Sequence, residues 1–164
     1  MKVLRKIFLV LGLVMVVGPA NAAFMDGVNV GGGFMWSDSI RQRFESAGGL
    51  SLHVSTHITP PGPFVLAPFY DVSFSSPLMN LLGVSLLYTI GMRDFETHIL
   101  FFGPSVGLVA SDGESHRFIG GEVGYKFPMG ESMGLFGRVK YVLDQHDVVD
   151  GMSGHIGVTF KLFQ

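Results

Sequence analysis

Beyond residue 22 the chain alternates between apolar and small or polar positions. Neighbouring side chains on a strand point to opposite faces, so a period of two marks a strand with two unlike faces. The C-terminal segment is the clearest case. Ile156, Val158, Phe160 and Leu162 fall on one face, and His155, Gly157, Thr159 and Lys161 on the other. Residues 50–58 repeat it, with Leu50, Leu52, Val54 and Ile58 against Ser51, His53, Ser55 and His57, and with Thr56 interrupting the apolar side. Strand 1 groups Val28, Val30, Phe34 and Trp36; strand 3 groups Leu66, Pro68, Tyr70, Val72 and Phe74. Strand 4 sets Leu82, Val84, Leu86, Tyr88 and Ile90 against glycine, serine and threonine. Strand 5 does the same with Leu100, Phe102, Val106 and Leu108. Strand 6 carries Ile119, Val123, Tyr125 and Phe127, and strand 7 Leu135, Val139, Tyr141 and Leu143. Pro68 and Pro104 are blemishes, because proline cannot donate to a ladder.

Turn-forming clusters separate these segments at 37–49, 59–63, 75–80, 92–96, 111–115, 128–132 and 144–151. Seven connections predict eight antiparallel strands. No stretch sustains a helical period; residues 40–46 could form at most a turn of helix. The non-apolar face carries glycine, serine, threonine, histidine and charge. A soluble barrel would bury its apolar face, whereas a membrane barrel turns that face to lipid and the polar one to the lumen. Glycine on the polar face favours the second arrangement, since the interior of an eight-stranded barrel is just filled by side chains. Trp36, Tyr70, Phe74, Tyr88, Tyr125, Phe127, Tyr141 and Phe163 stand near strand ends, where an interfacial aromatic girdle belongs. A soluble lipocalin-like barrel binding an apolar ligand is the alternative.

The first residues add a destination. Lys2, Arg5 and Lys6 precede an uncharged apolar run over 7–17, broken by Gly18-Pro19; Ala20-Asn21-Ala22 offers small residues at −3 and −1. This pattern predicts a secretory signal peptide over 1–22, cleaved after Ala22, with the barrel over 23–164. The run of about 11 residues falls short of the ~20 a spanning helix needs. Three of the 11 Lys and Arg leave with the signal, so 8 positive residues face 13 negative ones in the remainder. That balance argues against a nucleic-acid surface. Zero cysteines excludes a disulfide scaffold and cysteine-based zinc sites. With 23 glycines, 15 phenylalanines and only 15% charged residues, the chain must hide its apolar surface without a spanning helix.

The last strand, His155-Ile156-Gly157-Val158-Thr159-Phe160-Lys161-Leu162, resembles the C-terminal signal of bacterial outer-membrane barrels, in which His155, Gly157, Phe160 and Leu162 occupy the pattern positions. The chain departs from it by ending Phe163-Gln164 rather than on an aromatic residue. From Ala23 onward the chain is similar in architecture to the small OmpA/OmpX-type barrels. The resemblance implies an eight-stranded up-and-down transmembrane barrel in the outer membrane, in contact with lipid and lipopolysaccharide. It also implies insertion by the barrel-assembly machinery. The N-terminus and the turns at 59–63, 92–96 and 128–132 would lie on the periplasmic side, and the other four connections outside. Members of this class differ in role, so a non-enzymatic structural, surface-interaction or narrow solute-transport function is expected, with no cofactor and an open oligomeric state.

Asp71, Glu122, Lys126, Arg138, Lys140, His155 and Lys161 all fall on the inferred inner face. They form either a polar path or an ion-pair network that plugs the lumen, and the network is the expected reading, because charges away from water need partners. His53 and His57, four strand residues and roughly 13 Å apart, cannot share a metal ion directly. His53 and Ser55 are similar to the His-x-Ser pair of outer-membrane lipid A deacylases, although Thr56 stands where that family has Asn. They are the weak candidates for an acyl-hydrolase alternative. Gly31-Gly32-Gly33 and Gly120-Gly121-Glu122-Val123-Gly124 lack the Lys-Ser/Thr ending of a phosphate loop and are read as strand glycines. His116 and the acidic loop of Asp144, Asp147 and Asp150 lack the spacing of a calcium loop.

Overall fold

A computed structural model describes residues 25–37, 48–58, 64–75, 78–90, 98–111, 113–144 and 150–161. The predicted signal peptide, the possible helical turn at 40–46, the connections at 59–63 and 92–96, Leu162 and Phe163 lie outside these residues. Eight strands follow one another: β1 (Met25–Ser37), β2 (Gly48–Ile58), β3 (Phe64–Ser73), β4 (Met79–Ile90), β5 (Ile99–Ser111), β6 (Glu114–Pro128), β7 (Met133–Asp144) and β8 (Gly151–Phe160). Each pairs antiparallel with the next, and β1 also pairs with β8, which closes the barrel and leaves no free edge. All eight predicted strands are present; most have longer ends than alternation marked, while β3 stops at Ser73, before Phe74, and β8 at Phe160, before Lys161. Ser37, Gly48, Gly49, Met79, Asn80, Ser111, Glu114, Ser115, Pro128, Asp144 and Gly151, assigned from sequence to turns, belong to strands. β5 ends at Ser111 and β6 begins at Glu114, with Gly113 just before it at φ 85°, a left-handed setting that glycine adopts without strain.

The faces fall as the alternation requires. Leu50, Ile156, Val106 and Ile119 stand out from the wall, Leu50 and Ile156 being 71% and 75% exposed. Trp36, Phe74, Tyr88, Tyr125, Phe127 and Tyr141 are exposed as well, while Tyr70 is half-buried and donates its hydroxyl to Asn80 Oδ1 at 2.7 Å. A water-soluble barrel would not carry this continuous apolar exterior. Thr56, the interruption in strand 2, is buried and donates to the carbonyl of Gly27 at 3.0 Å, beside the register shift between Met25 and Gly27. The irregular residue therefore caps an irregular pairing.

Phenylalanine and glycine together set how the lumen fills. Phe69, Phe101, Phe118 and Phe136 point inward, and each pairs directly with a glycine on an adjoining strand: Gly83, Gly124, Gly107 and Gly157. A β-carbon at Gly83 or Gly157 would come within 2.7 Å of the facing ring, and one at Gly124 within 2.2 Å. These glycines are inward because the rings occupy the space that their side chains would need.

Candidate functional site

The register brings the charges together across the lumen. Asp71 of β3 pairs with His53 of β2, Glu122 of β6 with Lys140 of β7, and Arg138 of β7 with His155 of β8. Strand tilt carries these pairs to one mid-barrel layer. Arg138 Nη2 donates to Asp71 Oδ2 at 3.1 Å, and Nη1 lies 3.5 Å from Glu122 Oε2. Lys140 Nζ lies 3.3 Å from Glu122 Oε2 and 3.6 Å from Asp71 Oδ2. It also sits 2.7 Å from the centroid of the Phe69 ring, a cation–π contact out of reach of water. Asp71 and Lys140 are 0% exposed. Two carboxylates thus face two cations in a layer where an unpaired charge would be costly.

His53 joins that layer to a second, neutral chain of bonds. Its Nε2 lies 3.1 Å from Arg138 Nη1. A guanidinium only donates, so Nε2 accepts and the ring proton sits on Nδ1, which donates to Asp71 Oδ1. Ser55 Oγ, 2.8 Å from the same Nε2, donates there and accepts from Asn29 Nδ2 at 3.1 Å. Asn29 also donates to His57 Nε2 at 3.1 Å and accepts from Thr159 Oγ1 at 2.6 Å. On the other flank, Ser51 Oγ and His155 Nε2 are 2.9 Å apart, and the His155 ring lies 5.3 Å from that of His53.

Of the inner-face residues inferred from sequence, Asp71, Glu122, Arg138, Lys140 and His155 meet in this layer or against it. Lys126 is buried and lines a small cavity next to Glu122 and Arg138. Lys161 is the exception: it follows the last residue of β8, is exposed, and stands outside the buried layer. Its parity is inward, but the barrel ends before the side chain is enclosed. Gly157 gives way to Phe136, and Phe160 faces outward. Sequence reasoning passed over Asn29, Ser51 and Thr159 as links, although all three have the inward parity of their strands. It also treated His53 as separate from Asp71, because pairing between β2 and β3 is a matter of register.

Asp71, His53 and Ser55 reproduce the bond order of an acid–histidine–serine triad. Their setting differs from that of a hydrolase. Ser55 is 5% exposed, and Arg138 occupies the nitrogen that would take its proton. The cavity beside them measures about 10 Å³, far below the volume of an acyl chain. Among the described residues, no group of three or more His, Asp and Glu side chains could hold a metal ion.

A closed antiparallel barrel with an apolar exterior and a packed, charge-paired lumen defines the class of small transmembrane β-barrels. The comparisons agree on this architecture. Neisserial surface protein A aligns with a TM-score of 0.53 at 16% identity, over 85% of this chain and 96% of its own. The N-terminal β-barrel domain of Pseudomonas aeruginosa OprF aligns at 0.59 and 12%, over 84% and 98%. A de novo designed transmembrane β-barrel aligns at 0.53 and 11%, over 85% and 95%. No protein-family model matches the chain, and no curated protein matches it in sequence.

Proposed function

We propose that the protein is an integral outer-membrane barrel with a closed lumen, and that its role is structural or surface-interacting rather than catalytic or conducting. The observation that carries this reading is the mid-barrel layer, in which His53, Asp71 and Lys140 are entirely shielded and mutually paired. The apolar exterior and the likeness to small outer-membrane barrels support the location. Fractionation of the producing cell, followed by boiled and unboiled electrophoresis, tests it. Recovery in the outer membrane with a heat-shifted band is expected, and recovery in the soluble periplasm would sink the reading. Planar-bilayer recording of the purified barrel should give no steady conductance; a stable open level would replace the closed lumen with a narrow transport path.

The bond order of Asp71, His53 and Ser55 favours a second reading, an acyl hydrolase acting on lipid. It requires the triad to become accessible, and the outward face is where lipid lies. The closed-lumen reading explains the same bonds as partner satisfaction for buried polar groups.

A further inference from the structure

We infer that three rows of side chains, on the lumen side of the junction between β1 and β8, fix the register in which the barrel closes. Every other pair of neighbouring strands is consecutive in the chain, so its connection helps to set its register. β1 and β8 have no such connection, and Asn29 and Thr159, which meet across the junction, stand 130 residues apart. The ladder itself carries little register information. Gly31, Gly32 and Gly33 of β1 run opposite Gly157, Ile156 and His155, with Gly154 and Gly151 further along β8. Strands this rich in glycine specify their pairing weakly. A slip of two residues would keep every side chain on its face and most of the backbone bonds. It would change the stagger of the whole barrel, and with it the lumen in which the charge layer sits. Side chains have to exclude it.

Each row crosses the junction and reaches beyond it to a further strand. In the first, Ser55, Asn29 and Thr159 are register partners on β2, β1 and β8. Thr159 Oγ1 donates to Asn29 Oδ1 at 2.6 Å, and Asn29 Nδ2 donates to Ser55 Oγ at 3.1 Å. In the second, Gly31 faces Gly157, and rings from the outer strands close over the pair. A β-carbon at either glycine would come within 2.8 Å of the Phe136 ring of β7. That ring meets the His53 ring of β2 edge-on, with centroids 5.8 Å apart. In the third, Gly33 stands between Ser51 and His155, and its missing side chain lets Ser51 Oγ and His155 Nε2 approach to 2.9 Å. Met35, of the next inward pair, belongs instead to the apolar cluster with Phe118 and Val142. A slip in one direction would bring His155 opposite Gly31, and in the other opposite Met35. Either slip parts Thr159 from Asn29 and His155 from Ser51, so only the observed register keeps both bonds.

The test is oxidative cross-linking of cysteine pairs in the full barrel folded into lipid vesicles; the natural chain has no cysteine to interfere. Val30→Cys with Val158→Cys reports the observed register. Val30→Cys with Ile156→Cys reports a slip of two residues one way, and Gly32→Cys with Val158→Cys the other. With the rows intact, only the first pair should cross-link. Ser51→Ala with Thr159→Val removes both bonds from β8, and a slipped pair should then gain on the first by about tenfold. If that double variant lacks the heat-shifted band, Phe136→Leu decides, with a smaller rise expected. Slipped pairs that stay silent in the folded variant would overturn the inference. Two comparisons separate it from general loosening. Leu81→Ala weakens the barrel away from the junction and should leave the slipped pairs silent. Val84→Cys with Val106→Cys, register partners on β4 and β5, should cross-link equally in every background. A slipped signal in Leu81→Ala, or a fall at β4 and β5, would mean that register follows overall stability and would equally overturn the inference.

Discussion

Near the start of β1, the inner faces of β1, β2 and β8 present Asn29, Ser55, His57 and Thr159, each bonded to a neighbour. Near the end of β1 the same lumen presents Met35, Met79, Leu81, Val109, Phe118 and Val142, which meet only by packing. The charge layer separates the two halves, and Phe69 belongs to both. Its ring supports Lys140 on one side and lies 6.3 Å from the Phe118 ring on the other. The polar half depends on every partner being present, since a buried group left unmet costs its full desolvation. The apolar half depends on volume, since a void forfeits contacts that nothing replaces. One barrel wall thus encloses a polar network and an apolar core that fail for different reasons, while a smaller apolar group, Val65, Ala67, Leu87 and Phe101, lines β3, β4 and β5 at the polar end.

The sharpest way to break the comparison is to unbalance the layer between the halves. Asp71→Asn keeps the shape and removes one of the two carboxylates that face Arg138 and Lys140. Breaking a buried pair by removing one partner costs about 3–5 kcal/mol. A urea unfolding midpoint in lipid vesicles should fall accordingly, and adding Lys140→Met should return a large part of the loss. A double variant no more stable than Asp71→Asn would show that the two charges are not coupled. Next in size is Leu81→Ala in the apolar half. Leu81 is fully buried, and truncation should cost about 3 kcal/mol through lost transfer energy and the cavity left behind. No compensating charge variant should rescue it.

How far the two halves could be foreseen differs for a physical reason. The polar half announced itself, because His53, Ser55, Arg138 and Lys140 alternate with apolar neighbours and parity alone places them inside. The apolar half was hidden. On β4, Met79 and Leu81 point inward while Leu82 and Val84 point out, so both faces read as apolar and the period of two loses contrast. Which charges touch was not legible at all. Parity puts Asp71 in the lumen, but contact with Arg138 depends on tilt and stagger across 67 residues of sequence. The pairing of inward phenylalanine with glycine was the unread signal. Each ring has its glycine on the adjoining strand, which would have fixed the register of β3–β4, β5–β6 and β7–β8.

That pairing sharpens the comparison from the apolar side. Gly124→Val would put a branched side chain where a β-carbon alone comes within 2.2 Å of Phe101 Cζ and 2.7 Å of the Gly137 carbonyl oxygen. Overpacking of this kind costs about 1–3 kcal/mol. Outward glycines behave differently: a β-carbon at Gly137 meets nothing within 4 Å. Gly137→Ala should therefore be close to neutral in the same vesicle assay. Equal losses at Gly124 and Gly137 would mean that the cost lies in the backbone and not in the rings.

The smallest expected effect is also the one that separates the functional readings. Ser55→Ala removes a hydroxyl that links His53 Nε2 to Asn29 Nδ2. His53 keeps Arg138 as a donor to the same nitrogen, and Asn29 keeps His57 and Thr159. The network closes around the gap, so the loss should be about 1 kcal/mol, the net worth of one hydrogen bond. If the bonds around Ser55 serve only to satisfy buried groups, lipid A masses from cells carrying the natural gene, the deletion and Ser55→Ala should be identical. A mass shift that depends on the gene and disappears in Ser55→Ala, while the heat-shifted band remains, would show that the triad opens to lipid. The polar half would then be a working site, and the bond from Arg138 to His53 would be the contact that opening has to break.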